Sequence, residues 1–122
     1  MSTITVTNIK ATGETASRAV SGVAAAWVNV GNAATTLDIK ASFNVSSAND
    51  NGTGDFSYSL TSSFASSDFS QQSTYRGTLY DKIATMNSGR VTASLMATEI
   101  SDPHAQALDD QNHVLTAHGD LA

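Results

Sequence analysis

The residues of this chain that could carry chemistry are its hydroxyls and its three histidines. Catalysis by a nucleophile needs a Ser or Thr beside an oriented His, and 32 Ser and Thr residues make chance pairings common. No Gly-x-Ser-x-Gly pattern occurs. His104, His113 and His118 fall near the end, where we expect them to be solvated or lightly buried. Asp109 and Asp110 are adjacent, so their carboxylates diverge, unlike the facing pair of a glycoside hydrolase. We predict that the chain is not an enzyme.

A run of oxygen ligands lies near the middle of the chain, from Asn49 to Asp55. Alternating side-chain oxygens and a turn glycine are what calcium loops use. An EF-hand needs a bidentate acid at its twelfth position, and counting from Asn49 or Asp50 reaches Leu60 or Thr61. Asn, Asp and Gly also bend and hydrogen-bond a plain turn. We therefore predict a hairpin turn, with an irregular calcium loop as the alternative, and no metal or cofactor in the protein.

Composition and charge narrow the classes of function. The 122 residues carry a formal charge of −5, which repels a phosphate backbone and argues against nucleic-acid partners. The absence of Cys removes disulfides and zinc-thiolate sites. The opening residues lack a basic region and a long apolar run, so we expect no membrane insertion. The length fits one domain, and Ala makes up much of the apolar content, so a lone monomer would have a thin core.

Period-2 alternation from end to end predicts an all-β fold. Residues 37–45 alternate apolar and polar side chains, a polar stretch follows at 46–54, and alternation resumes at 56–60. This pattern predicts a hairpin with one wet face. About seven short strands in all predict an antiparallel β-sandwich at 23–122. Residues 1–22, which include a strand-like start at Ile4 and Val6, are predicted to form an extended N-terminal arm that docks on a neighbour.

Four aromatic residues are predicted to be anchors of the core or of an oligomer interface: Trp27, Phe43, Phe56 and Tyr58. Trp27 follows three Ala residues, so its apolar surroundings favour a core anchor of one sheet. The alternative interpretation of Trp27 is a platform on which a sugar stacks.

Three segments together are similar to a motif set of small tailed-phage virion proteins, in particular the tail-fibre-type proteins of marine phages. The segments are Ala26-Trp27-Val28-Asn29-Val30, Ser42-Phe43-Asn44-Val45-Ser46-Ser47 and Asp50-Asn51-Gly52-Thr53-Gly54-Asp55-Phe56. Their spacing agrees with the family over residues 24–60. Downstream, the family continues with Asp-Ala-Asn-Tyr, and this chain departs from it with Ser66-Ser67-Asp68-Phe69.

The resemblance implies a virion surface protein that is made in the host cytoplasm, forms a homo-oligomer, with a trimer favoured, and contacts capsid or tail proteins. A fibre-type protein with a host-attachment role is the first expectation, and a capsid decoration protein is the close alternative. A carbohydrate-binding or adhesion module of a cellular protein is the second alternative. In the fibre-type interpretation, two loops would contact host-surface glycan by hydrogen bonding. The contact residues predicted on these loops are Asn49, Asp50, Asn51, Thr53, Asp55, Ser66, Asp68 and Gln71.

Overall fold

The computed structural model describes residues 2–9, 18–19, 24–31, 37–77, 82–102 and 112–122. Every regular element in these ranges is a β-strand, and none contains a helix that could span a membrane. The strands are β1 (Asn8–Ile9), β2 (Arg18–Ala19), β3 (Ala24–Gly31), β4 (Asp38–Phe43), β5 (Val45–Asp50), β6 (Asp55–Leu60), β7 (Ser70–Tyr75), β8 (Ile83–Met86), β9 (Leu95–Ser101) and β10 (His113–His118).

Eight of these strands form two four-stranded antiparallel sheets. The first sheet has the strand order β4-β3-β10-β7, and the second has the order β5-β6-β9-β8. Their inner faces enclose one cluster of buried apolar side chains. The predicted all-β antiparallel sandwich is therefore confirmed, with eight strands in its two sheets rather than about seven.

The core follows from alternation along the central strands. In β3, Ala26, Val28 and Val30 are fully buried, while the residues between them face outward. The inner face of the second sheet contributes larger side chains from β6 and β9, which compensate for the small residues of β3. These larger buried residues are Phe56, Tyr58, Leu60, Met96 and Ile100.

A histidine lies in the middle of this core. His113, at the start of β10, has no exposed surface, although the sequence predicts solvated or lightly buried histidines. Its ring stacks on Phe56 with centroids 5.2 Å apart, and its Nε2 lies 2.6 Å from the hydroxyl of Tyr58. The prediction was wrong because the inward register of β10 places position 113 between the sheets, where a hydrogen bond from the opposite sheet makes a polar ring tolerable.

The predicted hairpin differs in the structure, because the apolar alternation at 37–45 does not form one strand. Asn44 adopts a left-handed conformation with φ of 59°, and it separates β4 in the first sheet from β5 in the second. The polar residues that follow form strand β5, so the turn is confined to residues 51–54. Asn tolerates this conformation better than most residues, and for that reason the chain changes sheets here.

The side chain of Asn44 stabilises the change of sheet. Its amide Nδ2 donates to the carbonyl oxygens of Ala25, at 3.1 Å, and of Ser62, at 2.9 Å. Its Oδ1 accepts a hydrogen bond from the backbone N–H of Ser62 at 2.7 Å. One amide thus connects β3 of the first sheet to the segment that follows β6 of the second.

The alternation predicts that strand β4 has one solvent-exposed face and one buried face, and the structure differs. It is an edge strand, and its residues 39–43 are all exposed. Phe43 lies opposite Trp27 across the β3–β4 pair. Because Trp27 alternates with the buried residues of β3, this pair lies on the outer face of the first sheet, and the core-anchor interpretation of Trp27 is wrong.

The opposite side of the sandwich is closed by a side chain. Gln71, on edge strand β7 of the first sheet, donates from Nε2 to the carbonyl oxygen of Ala97 in the second sheet at 2.7 Å. Its Oε1 accepts from the N–H of Ala97 at 3.3 Å. The amide of Gln71 therefore pairs with the main chain of β9 as a short piece of strand would.

The N-terminal region is described only in part. Residues 2–7 lie outside the sheets with their side chains exposed, so the strand predicted at Ile4 and Val6 is not formed there. Strands β1 and β2 pair antiparallel with each other. The rest of the predicted arm lies outside the described residues, and its docking on a neighbour stays a prediction.

Replacing Asn44 tests the contribution of its amide. We expect Asn44→Gly, which suits the left-handed backbone but lacks the amide, to lower the free energy of unfolding by about 1–3 kcal/mol. Asn44→Ala should cost about 1 kcal/mol more, because its Cβ is strained at this φ. Urea denaturation of both variants measures these differences. An Asn44→Gly variant as stable as the natural chain would show that the amide bonds add nothing.

Replacing Tyr58 tests how its buried hydroxyl affects the stability of the protein and the dependence of that stability on pH. Burial raises the pKa of Tyr58, and the Asp50 carboxylate raises it further. The unfolded chain loses this proton near pH 10 while the folded chain keeps it, so stability should be constant below about pH 10 and fall by about 1.4 kcal/mol per pH unit above it. Tyr58→Phe should remove this alkaline decline, and it should also lower stability at neutral pH by about 1 kcal/mol.

Urea denaturation at a series of pH values between about pH 8 and pH 11 measures this dependence. Tyr75→Phe, on edge strand β7, is the matched control and should retain the decline. An unchanged alkaline decline in Tyr58→Phe would contradict the assignment to the buried hydroxyl.

Candidate functional site

A cavity of about 440 Å³ lies where β6 and β10 end. We call it the terminal groove. It is formed by the loop between β6 and β7 and by the residues that follow β10. Its lining residues are Phe64, Ala65, Ser66, Asp68, Phe69, Ser70, His118, Gly119 and Asp120.

The loop that forms the groove is held by main-chain hydrogen bonds. The N–H of Ala65 donates to the carbonyl of Asp120, and the N–H of Ala122 donates to the carbonyl of Ser63, at 2.8 and 2.9 Å. Phe64 forms an isolated antiparallel bridge with Leu121 between them. The two walls of the groove are thus joined as a short ladder, which fixes their spacing in the absence of a ligand.

The floor of the groove is aromatic. The rings of Phe64 and Phe69 stack with centroids 4.1 Å apart and an interplanar angle of 19°. Gly119 lies directly against them: a Cβ at this position would be 2.9 Å from the Cβ of Phe69 and 3.0 Å from Cδ1 of Phe64. Only glycine allows the end of β10 to approach the ring pair this closely.

The rim of the groove is polar and acidic. Asp68 and Asp120 are exposed, and the hydroxyls of Ser66 and Ser70 and the imidazole of His118 complete the polar lining. The lining contains no Lys or Arg. Among the described residues, no three His, Cys, Asp or Glu side chains are placed to hold a metal ion. The rim can therefore accept hydrogen bonds from hydroxyl groups, and it repels anions.

The two predicted contact loops do not meet. Ser66 and Asp68 line the terminal groove, whereas the turn after β5 lies at the other end of β6. A strand of six residues such as β6 separates its ends by about 17–20 Å. Gln71 belongs to strand β7 rather than to a loop, and its amide is engaged with Ala97.

The predicted contact residues at 49–55 form a hydrogen-bonded hairpin turn. Asn49 and Asp50 are exposed at the end of β5, and Thr53 is exposed in the turn itself. The carboxylate of Asp50 accepts from the N–H of Gly52 at 3.0 Å, and the amide of Asn51 donates to Ser57 Oγ at 3.0 Å. These oxygens and amides complete the turn, as expected for Asn and Asp in a reversal of direction.

Asp55 has a structural contact of its own. Its carboxylate accepts from Nε of Arg90 at 2.7 Å and from the amide of Asn87 at 3.3 Å. The side chain of Asp55 thereby ties the turn after β8 to the start of β6. The pairing with Arg90 leaves Asp55 poorly suited to the ligand contact that the sequence predicts.

The four predicted anchors separate into two pairs. Phe56 and Tyr58 are fully buried between the sheets. Trp27 is half-buried and Phe43 is 53% exposed, and they lie side by side on the outer face of the first sheet. Thr116 lies opposite Trp27 on β10, and Gln72 lies opposite Thr116 on β7. We call this row of four residues the outer aromatic row.

Several groove residues were not identified from the sequence. The groove combines Phe64 and Phe69 with Gly119 and Asp120, which follow about fifty positions later in the chain. No local spacing therefore connects the two groups. The available signal was a pair of Phe residues inside an otherwise polar loop, since two apolar side chains there need a surface to pack on. His118 is half-buried, in line with the solvated or lightly buried histidine that the sequence predicts, and its place in the groove was not predicted. His104, Asp109 and Asp110 lie outside the described residues.

Comparison of this chain with protein-family models, with curated proteins and with solved structures found no match.

Proposed function

We propose that this chain is a structural protein of a tailed-phage virion, of the fibre type, that assembles with copies of itself and attaches the particle to its host. The resemblance over residues 24–60 supports the virion assignment. The observation that carries the self-assembly is the pair of half-buried Trp27 and exposed Phe43 on the outer face of the first sheet. Exposed aromatic side chains grouped in this way are typical of protein-interaction surfaces.

The form of edge strand β4 supports association through the outer face rather than by strand addition. The β3–β4 register is shifted beside Asn29, and Lys40 forms an ion pair with Asp38 on β4. Irregular pairing and a lysine are features that disfavour pairing of an edge strand with another chain. The outer aromatic row, by contrast, offers a regular and partly apolar face.

The terminal groove supports an attachment role. Its residues belong to loops and strand ends, where a rigid scaffold commonly presents binding residues. It is formed by β10 and by the loop after β6, so it does not include the outer aromatic row. One chain can therefore assemble through its sheet face and bind a ligand through its end.

The location of this chain distinguishes its three candidate roles: a fibre-type protein, a capsid decoration protein and a cellular carbohydrate-binding module. We expect mass spectrometry to detect this chain in purified virions and cryo-electron microscopy to place its density on the tail. Density on the capsid lattice would assign the decoration role instead. Absence from purified particles would contradict both virion roles and favour the carbohydrate-binding module.

Self-assembly is tested by replacing Phe43. We expect the natural chain to be an oligomer, with a trimer favoured, when its mass is measured by sedimentation or by light scattering. Phe43→Ser should weaken association by about tenfold, because burying about half of a Phe ring contributes about 1–2 kcal/mol. Ile83→Ser, at a similarly exposed position of the second sheet, is the matched control and should leave the mass unchanged. A stable monomer of the natural chain, at 12.6 kDa, would contradict the proposal.

A further inference from the structure

We propose that the terminal groove binds one unit of a neutral saccharide, through its aromatic floor and its ring of hydrogen-bond acceptors. This inference rests on the proposed attachment function and assigns the attachment to one site. The cavity volume of about 440 Å³ lies within the range of small-molecule sites in proteins.

The floor suits the apolar face of a sugar ring. Phe64 and Phe69 line the cavity and are 2% and 8% exposed, so they provide a narrow apolar surface beneath a polar rim. A sugar has C–H groups on its faces and hydroxyls on its edges, so one ligand can contact both the floor and the rim. A wholly apolar ligand would leave the carboxylates of the rim without compensation for their lost hydration.

The rim selects hydroxyl donors and disfavours anions. The carboxylates of Asp68 and Asp120 accept hydrogen bonds, and the hydroxyls of Ser66 and Ser70 both donate and accept. Because the lining has no Lys or Arg, the two carboxylates would repel a sialylated or sulfated sugar, and only the Ser hydroxyls and the His118 imidazole could donate to its anionic group. A charge of −5 over the whole chain acts in the same direction.

The groove is formed before a ligand arrives. The Ala65–Asp120 and Ser63–Ala122 hydrogen bonds hold its two walls together, and the N–H of Asp68 donates to Ser66 Oγ at 3.1 Å within the loop. Contact of Gly119 with the ring pair fixes the floor. A preorganised site loses less conformational entropy on binding than a loop that must be ordered.

The test compares two substitutions that remove the same charge from the two predicted contact loops. Asp68→Asn changes the rim of the groove, and Asp50→Asn changes the exposed turn at the other end of β6. An asparagine at position 50 can still accept the hydrogen bond from Gly52. Asp120→Asn gives a second change within the groove if Asp68→Asn alters the loop.

The probes are neutral hexose and N-acetylhexosamine oligosaccharides, with sialylated and sulfated oligosaccharides and penta-lysine for comparison. A glycan array finds the strongest neutral sugar, and two-dimensional NMR of the labelled protein locates it and measures its affinity. We expect shifts at the backbone amides of Ser66, Gly119 and Asp120, but none at Gly52 or Thr53. Asp68→Asn should weaken binding by about tenfold, and Asp50→Asn should leave it unchanged.

The inference would be overturned by no shift with any neutral sugar, by shifts confined to the turn at 51–54, or by tighter binding of anionic sugars. Preference for penta-lysine over every sugar would also overturn it and would assign the groove to a basic peptide. These results do not contradict the proposed function if virions contain the chain, because the location of the chain and the mass of its oligomer do not depend on the groove. Absence from virions together with sugar binding would instead refute the proposed function alone.

Discussion

The sandwich depends on one residue at which the chain leaves one sheet and enters the other. Asn44 accepts a left-handed backbone, and its amide fills hydrogen bonds that neither sheet supplies at this corner. Because β4 and β5 are joined there without a loop, the two sheets are held together along this side. On β6, which pairs with β5, Phe56 and Tyr58 face inward and contact His113 of the first sheet. The same corner leaves β4 at an edge with Phe43 exposed.

Alternation was enough to predict the fold class, and the strands of the central core were found near their true positions. Strand β6 and the inner residues of β3 follow the period of two closely, because both faces of a central strand have defined neighbours. Alternation failed at Asn44, where the pattern of 37–45 continues through a break in the strand. It also failed at residues 46–49 of edge strand β5, because Ala48 is the one apolar side chain among them and it packs against the core.

The candidate site was predictable only in part, for a geometric reason. Ser66 and Asp68 could be chosen because polar loops often carry binding residues. Their partners Gly119 and Asp120 become neighbours only through the pairing of 63–65 with 120–122, which is a tertiary feature without a local pattern. Conversely, Asp55 and Gln71 looked like free polar residues, yet each completes a contact between elements distant in the chain.

Gln71 has a further consequence for growth of an assembly. Its amide occupies the carbonyl and the N–H of Ala97 on β9, so edge strand β7 is tied to the second sheet, and the irregular, lysine-bearing β4 lies at the other edge of the first sheet. Unsealed sheet edges allow chains to add one after another without limit, as in amyloid. In the first sheet, both edge strands thus carry a feature that disfavours the addition of a strand from another chain.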